Sequence, residues 1–185
     1  MCIRDSAQSV SDIFLYGSFI STVSFLSRKK SRNEIGNILA LWGEASLLNG
    51  SITYLSKFSI RRIRPFAYNP SVDISKKQSV NAKISFFSGH TSITATNTIF
   101  IAKVFNDLYP ESKWKNIIWG TAIVIPAITG YLRVKGGRHY PTDVISGALV
   151  GGLVGFMVPH WHRSKKNQFT QLHFSPNNLS LSILF

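Results

Sequence analysis

Five long apolar stretches, separated by polar, basic or proline-bearing segments, limit what this chain of 185 residues can fold into. Each stretch is long for a strand and lacks the alternation of a half-buried strand, while Ala, Leu, Ile and Gly are abundant. The sequence therefore predicts an all-α fold, a helical bundle of one domain with a sizeable core. We expect its helices at Ile13–Ser27, Ile35–Ser56, Thr91–Phe105, Asn116–Leu132 and Val144–Pro159.

The lengths of these stretches lie between those of buried core helices and those of membrane spans, which need about 20 apolar residues. The positions of the basic residues are more informative. If the helices run up and down, one end of the bundle receives the basic segments Arg28–Arg32, Lys113 with Lys115, and His162–Lys166, near Trp114, Trp119 and Trp161. This arrangement is typical of membrane proteins and favours a membrane-embedded bundle. A soluble bundle with basic helix C-termini is the alternative.

The chain carries 21 basic and 8 acidic side chains, a formal net charge of +13. Such an excess indicates an anionic partner, which is a nucleic acid, an anionic membrane surface or a phosphorylated substrate.

With Cys2 as its one cysteine, the chain forms no internal disulfide. Residues 1–6 do not read as a signal peptide, and we expect them to be a foreign junction with native sequence missing upstream. The tail Thr170–Phe185 is compatible with a short strand or a mobile segment.

Three segments at the end opposite the basic loops contain residues suited to chemistry. The first, Lys57–Pro65, places four cations in eight positions, and no acidic residue occurs between Glu44 and Asp73. An ammonium group and planar guanidinium groups together suit a tetrahedral oxyanion. A solvated basic loop is the alternative reading of this segment taken alone.

The second segment, Phe87–Thr91, precedes the third predicted helix. Ser88 is a natural N-cap, Gly89 allows close approach of the backbone to a ligand, and the free amides of a helix start attract anions. His90 is placed to donate a proton to a bound group. A plain helix cap with a surface histidine would look the same.

The third segment, Arg133–Asp143, joins the fourth and fifth predicted helices through a pair of glycines. Pro141 suits a first helical turn. His139 and Asp143 are four residues apart, so the carboxylate can receive one imidazole N–H and leave the other nitrogen as base or nucleophile. A purely structural hydrogen bond or part of a metal site is equally compatible with this pair, although no further carboxylate or cysteine cluster lies near it.

The order and spacing of the three segments are far more specific than any one of them. Lys57–Pro65 reads K-x6-R-P, Ser88–His90 reads S-G-H, and Arg133–Asp143 reads R-x5-H-x3-D. This resembles the tripartite signature shared by type 2 phosphatidic acid phosphatases, bacterial class A acid phosphatases and vanadium haloperoxidases. Two positions depart from that signature, since Phe87 stands where the family usually has Pro and Leu132 where it has Ser.

The resemblance implies a role for each matched residue. His139 would attack the phosphorus and form a phosphohistidine, Asp143 would orient it, and His90 would protonate the leaving alkoxide. No metal or other cofactor is implied, and vanadate is expected as an inhibitor that mimics the transition state. The phosphoryl oxygens would be held by Lys57, Arg64, Ser88, Gly89 and Arg133.

The implied activity is metal-independent hydrolysis of a lipid phosphate, a lipid pyrophosphate or a related phosphomonoester. A vanadate-dependent haloperoxidase is the alternative within the same fold, and a non-catalytic basic protein that binds membranes or nucleic acid is the alternative from another class. Nucleic acid is disfavoured because the aromatic residues concentrate in the apolar stretches instead of alternating with basic ones. The sequence carries no signal of oligomeric state.

We expect a domain of residues 7–163 with a motif core of 57–143, followed by a basic tail of residues 164–185. Membrane members of the family have six spanning helices and carry the first motif after the third, whereas here it follows the second. This agrees with a missing N-terminal helix. The motif loops of such enzymes face away from the basic loops, which implies a bacterial-type inner membrane protein with a periplasm-facing site, and a soluble periplasmic protein is the alternative.

Overall fold

Helices make up most of the chain in the computed structural model, which describes residues 3–165, 172–175 and 178–181. The long helices are α1 (Ile3–Leu26), α3 (Ile35–Ile60), α5 (Gly89–Leu108), α6 (Lys115–Lys135) and α7 (Pro141–Lys165). Two short helices, α2 (Lys29–Asn33) and α4 (Ile74–Gln78), and 3-10 turns at Pro65–Tyr68 and Val80–Lys83 lie in the connections. In the tail, strands β1 (Leu172–Ser175) and β2 (Asn178–Leu181) pair antiparallel.

The predicted helical bundle is confirmed, but its helices are longer than the apolar stretches suggest. Helix α1 begins at Ile3 and not near Ile13, because its buried face continues through the small residues Ala7 and Ser11, which hydropathy alone passes over. Helix α7 continues through Pro159, where we expected its end. A proline inside a helix costs a backbone hydrogen bond, and long helices of membrane proteins tolerate it. The tail Thr170–Phe185, compatible by sequence with a short strand or a mobile segment, forms the two short strands β1 and β2. Its other residues lie outside the described part of the chain.

Helix α5 is the centre of the bundle and packs against α1, α3, α6 and α7. Its buried surface contains many hydroxyl and amide side chains, and these reach each of the four neighbours. The bonds join Asn97 Nδ2 to Ser18 Oγ of α1 (2.9 Å), Ser92 Oγ to Asn49 Oδ1 of α3 (2.6 Å), Thr98 Oγ1 to the Ala122 carbonyl of α6 (2.9 Å) and Thr96 Oγ1 to the Gly151 carbonyl of α7 (3.1 Å). Because hydrogen bonds are directional, these four bonds define which residues of each neighbouring helix lie beside which residues of α5.

Glycines allow α7 to approach α5 closely. The three that face α5 are spaced four residues apart: Gly147, Gly151 and Gly155. A Cβ atom at Gly147 would lie 2.6 Å from the Ser88 carbonyl oxygen, and one at Gly151 would overlap the Ser92 carbonyl oxygen. Small residues at this spacing are typical of closely packed membrane helices. The contact brings the first turn of α7 against the N-terminus of α5.

The two ends of the bundle carry different residues. At one end, Lys30 Nζ donates to the Leu108 carbonyl at 3.3 Å and Arg163 pairs with Asp107. The basic residues after α1 and in the last turns of α7 therefore both meet the C-terminal end of α5. The three segments that resemble the phosphatase signature lie at the other end. In the described part of the chain, three helices between these ends are long and apolar enough to cross a membrane: Ser6–Leu26, Lys115–Lys135 and Pro141–Arg163.

Replacing Gly151 with alanine is expected to destabilise the bundle by about 1–3 kcal/mol, as added methyl groups do in a close-packed interior. The cause is the overlap with the Ser92 carbonyl. Gly152→Ala is the matched control, because a Cβ there meets nothing within 4 Å and alanine favours the helix. Thermal unfolding of both variants in detergent measures the difference. Equal melting temperatures for the two variants would contradict the close approach of α7 to α5.

Candidate active site

Backbone hydrogen bonds join the three chemistry-bearing segments at one end of the bundle. The Phe66 amide donates to the Gly137 carbonyl at 3.0 Å and links the first segment to the third. The Ser88 amide donates to the Asp143 carbonyl at 2.9 Å and links the second to the third. Gly137 adopts φ of +68°, a left-handed conformation that favours glycine, in the turn before His139. The structure therefore brings together all the residues that the sequence indicated for the site.

His139 and Asp143 form a buried pair whose carboxylate is held from several sides. His139 Nδ1 lies 3.5 Å from Asp143 Oδ2. The same oxygen accepts from Ser85 Oγ at 2.5 Å and from the Tyr140 amide at 3.0 Å, and Arg62 Nη1 donates to Oδ1 at 2.7 Å. With Nδ1 directed towards the carboxylate, Nε2 of His139 is the nitrogen left for a reacting group.

Arg62 and Ser85 are site residues that the sequence analysis missed. Arg62 also donates to Thr142 Oγ1 at 2.7 Å, and its guanidinium lies 3.9 Å from the centre of the Tyr140 ring. Ser85 Oγ lies 3.4 Å from His139 Nδ1 as well as beside Asp143. Arg62 was visible as one of the cations of the first segment, but nothing in the sequence separated it from its neighbours. Ser85 gave no signal.

Three cations form the wall of the site. Arg64 and Arg133 are almost fully buried, and the Nε atom of each has no hydrogen-bond partner among the described residues. Lys57 Nζ donates to the Ile84 carbonyl at 3.1 Å. Burial, followed by the charges of Arg133 and Arg138, lowers the pKa of Arg64 to about 10. Buried guanidinium groups with unused donors suit a bound oxyanion, which would satisfy those donors and offset their mutual repulsion.

The start of α5 adds hydrogen-bond donors to this wall. Ser88 caps the helix as predicted, with its Oγ accepting from the Thr91 amide at 3.4 Å. A Cβ at Gly89 would make only ordinary contacts, 3.4 Å from Thr53 and 3.7 Å from Lys57, so packing within the protein does not demand glycine there. Close approach of a ligand to the backbone remains the reason we expect for it.

His90, in the first turn of α5, contacts a residue that the sequence analysis did not single out. Its Nε2 lies 2.9 Å from Asp12 Oδ1 of α1, and the same oxygen lies 3.4 Å from Arg133 Nη1. One signal could have revealed Asp12, since it is the single charged residue between Ser6 and Leu26. Ionisable residues in apolar helices are rare and commonly functional.

Burial and nearby charges keep His139 neutral. Burial lowers the pKa of His139 to about 3, the hydrogen bond with Asp143 opposes this, and the charges of Arg64, Lys57 and Arg133 add to the lowering. A neutral imidazole has a free lone pair, which is the form that a nucleophilic or basic histidine requires. The described fold and site together define a helical-bundle protein built for phosphate-type chemistry.

Comparisons with known proteins agree with this class. The sequence model described as PAP2 superfamily matches residues 38–167, and the chain belongs to this superfamily. A relative from Sulfolobus acidocaldarius named undecaprenyl-diphosphatase is 28% identical over 75% of this chain. A rat relative named phospholipid phosphatase 2 is 27% identical over 77% of the chain. In both cases the matched region spans 61% of the relative.

A solved structure has the same fold. The transmembrane PAP2-type phosphatidylglycerolphosphate phosphatase from Bacillus subtilis superimposes with a TM-score of 0.63 and 27% sequence identity, covering 88% of this chain and 78% of that one. Together with the three apolar helices, this likeness identifies the chain as a membrane protein. The predicted membrane-embedded bundle is thus confirmed.

The low pKa of His139 predicts how activity depends on pH. Protonated His139 cannot attack, and because its pKa is lowered from 6.5 to about 3, the neutral form persists well below pH 6. The acid limb of kcat/KM, which reports the free enzyme, should therefore lie far below pH 6.5. The measurement is kcat/KM between pH 3 and 9, with the ionisation of the substrate phosphate determined separately and divided out. An acid limb that stays near pH 6.5 after this correction would contradict the assignment.

Proposed function

We propose that this protein hydrolyses a phosphate ester or diphosphate of a membrane lipid, with His139 as the nucleophile and a phosphohistidine as the intermediate. The observation that carries the proposal is the neutral His139 buried against the Asp143 carboxylate, beside three cations of which two have unused buried donors. A cationic pocket of this kind fits the charged oxygens of a phosphoryl group. The matched relatives, which are named as phosphatases of lipids, support it.

In the proposed mechanism, the pocket holds the phosphoryl group in line with His139 Nε2. Arg64 and Arg133 supply guanidinium donors, Lys57 supplies a point charge, and the Ser88 hydroxyl and Gly89 amide complete the shell. Phosphoryl transfer needs little covalent assistance, so positioning and charge stabilisation account for most of the rate. The loss of one such contact typically costs about 3–4 kcal/mol in the transition state.

Two proton transfers complete the cycle. The ester P–O bond breaks as the Nε2–P bond forms, and His90 gives a proton to the departing oxygen. Asp143 accepts a hydrogen bond from Nδ1–H of His139, without taking the proton, and stabilises the positive charge that develops on the ring. Water then attacks the phosphohistidine, with His90 accepting its proton, and inorganic phosphate leaves.

The positive charge of this site comes from side chains, so we propose that turnover needs no metal ion. Among the described residues, no group of three or more His, Cys, Asp or Glu is placed to hold one. We further propose that the chain lies in a bacterial-type inner membrane with its site facing the periplasm. The basic end of the bundle, opposite the site, supports this orientation because basic loops remain on the cytoplasmic side.

His139→Ala is expected to abolish phosphate release, because the variant lacks the imidazole nitrogen that would form the phosphohistidine. His160→Ala is the matched control, since His160 is exposed at the opposite end of the bundle. Phosphate release from phosphatidic acid in detergent micelles is measured with and without EDTA, and with orthovanadate. We expect unchanged rates in EDTA and strong inhibition by vanadate. Activity that survives in His139→Ala would exclude the nucleophile, and loss of turnover in EDTA would exclude the metal-free mechanism.

A panel of substrates tests the lipid class. Phosphatidic acid and undecaprenyl diphosphate are compared with soluble phosphomonoesters at equal phosphate concentration, using the wild-type protein in micelles. Because the site lies at one end of a membrane bundle, we expect kcat/KM for at least one lipid to exceed that of the soluble esters by more than tenfold. Equal or higher values for the soluble esters would contradict a lipid substrate.

A further inference from the structure

Helix α1 contributes polar side chains to the site from outside the matched family region, which begins at residue 38. Three of its residues face the cations. Asp12 Oδ1 lies 2.9 Å from His90 Nε2 and 3.4 Å from Arg133 Nη1, Ser11 Oγ lies 3.2 Å from the same Arg133 nitrogen, and Gln8 pairs with Arg138. The spacing of residues 8, 11 and 12 places them on one face of the helix.

The contact between Asp12 and His90 determines which imidazole nitrogen is available for chemistry. An ionised carboxylate only accepts hydrogen bonds, so Nε2 of His90 must carry the hydrogen that it shares with Asp12. When the ring is protonated, Nδ1 carries the second hydrogen and is the nitrogen that can give a proton to a leaving group. The arrangement mirrors the other pair of the site, in which Asp143 lies beside Nδ1 of His139 and leaves Nε2 for the phosphorus.

The charge of Asp12 also acts on the protonation of His90. Burial and the charge of Arg133 lower the pKa of His90 to about 4, whereas the charge and the hydrogen bond of Asp12 oppose that lowering. The acid form of the imidazole is the one that a leaving alkoxide requires. Without the carboxylate, His90 would be surrounded by cations alone and would lose its proton more readily.

We infer that Asp12 is a positioning residue for the leaving-group acid: it holds His90 through Nε2 and favours its protonated form, so that Nδ1 delivers the proton to the ester oxygen. The inference rests on the proposed phosphatase activity and adds to it a residue outside the three motifs. In the step concerned, the proton moves from His90 Nδ1 to the departing oxygen while the P–O bond breaks and the His139 Nε2–P bond forms. Asp12 keeps its hydrogen bond throughout.

The test compares two leaving groups of similar size in Asp12→Asn and wild-type protein. Benzyl phosphate loses an alkoxide that needs a proton, whereas p-nitrophenyl phosphate loses a stable phenolate that does not. We expect kcat/KM of Asp12→Asn to fall on the order of 10²-fold for benzyl phosphate, the usual size of a general-acid contribution, and only a few-fold for p-nitrophenyl phosphate. Because kcat/KM reports the steps up to phosphoenzyme formation, the later hydrolysis does not obscure the comparison.

Two further variants separate positioning from general structural damage. Asp73→Asn removes the same charge from an exposed loop where asparagine caps a helix equally well, so both substrates should retain wild-type rates. In a His90→Ala background, Asp12→Asn should cause no additional loss with benzyl phosphate, because Asp12 acts through His90.

Three results would overturn the inference. They are equal losses for both substrates, a full additional loss in the His90→Ala background, and tighter binding of orthovanadate by Asp12→Asn without any leaving-group effect. The last would mean that Asp12 acts on Arg133 as a competitor of the phosphate. If the wild-type protein hydrolyses neither these esters nor the lipids, the proposed function fails, whereas an active wild type with unselective losses in Asp12→Asn rejects the inference alone.

Discussion

The site depends on the burial of several like charges at one end of a helical bundle. Lys57 and Arg64 come from the first segment and Arg133 from the third, and burial of guanidinium nitrogens without partners is unfavourable. Asp143 acts on Lys57 and Arg64 and Asp12 pairs with Arg133, so the two carboxylates offset part of this repulsion. The remaining donors are available to a bound oxyanion. Burial lowers the pKa of His139 most, and the positive charges that suit an oxyanion lower it further.

Helix α5 links the packing of the bundle to the geometry of the site, because it contacts the other long helices and its N-terminus forms part of the site. Its hydroxyl and amide side chains bond to α1, α3, α6 and α7, and its N-terminus carries Ser88, Gly89 and His90 into the site. The glycines of α7 allow the backbones to approach closely, and the Ser88 amide reaches the Asp143 carbonyl. Distances of a few tenths of an ångström matter for phosphoryl transfer, since catalysis rests largely on orientation. A rigid contact between these two helices therefore serves both stability and chemistry.

Much of the site was predictable, because its central residues cluster in three short segments. Within the second and third segments the spacing was informative: Asp143 follows His139 by four positions, and a capping serine stands just before Gly89 and His90. Asp12 and Ser85 were not predictable in this way, because neither belongs to one of the three motif segments and both are brought to the site by the packing of the bundle. The helix ends were also misjudged, since hydropathy follows apolar side chains whereas α1 buries Ala7 and Ser11. Small residues pack closely against a neighbouring helix, but they contribute little to the hydropathy of a stretch.

By itself, the sequence determined the helical class, the number of long helices and the group of residues around His139, because periodicity, charge placement and local spacing are properties of short segments. Tertiary structure alone decided which nitrogen of each histidine is free, which donors of Arg64 and Arg133 remain unused, and that α1 supplies a carboxylate to His90. These features arise from contacts between residues that are distant in the chain, such as Asp12 and His90, whose 2.9 Å separation depends on the packing of α1 against α5 and α6. Packing of that kind depends on side-chain shape across the whole bundle, which no local pattern contains.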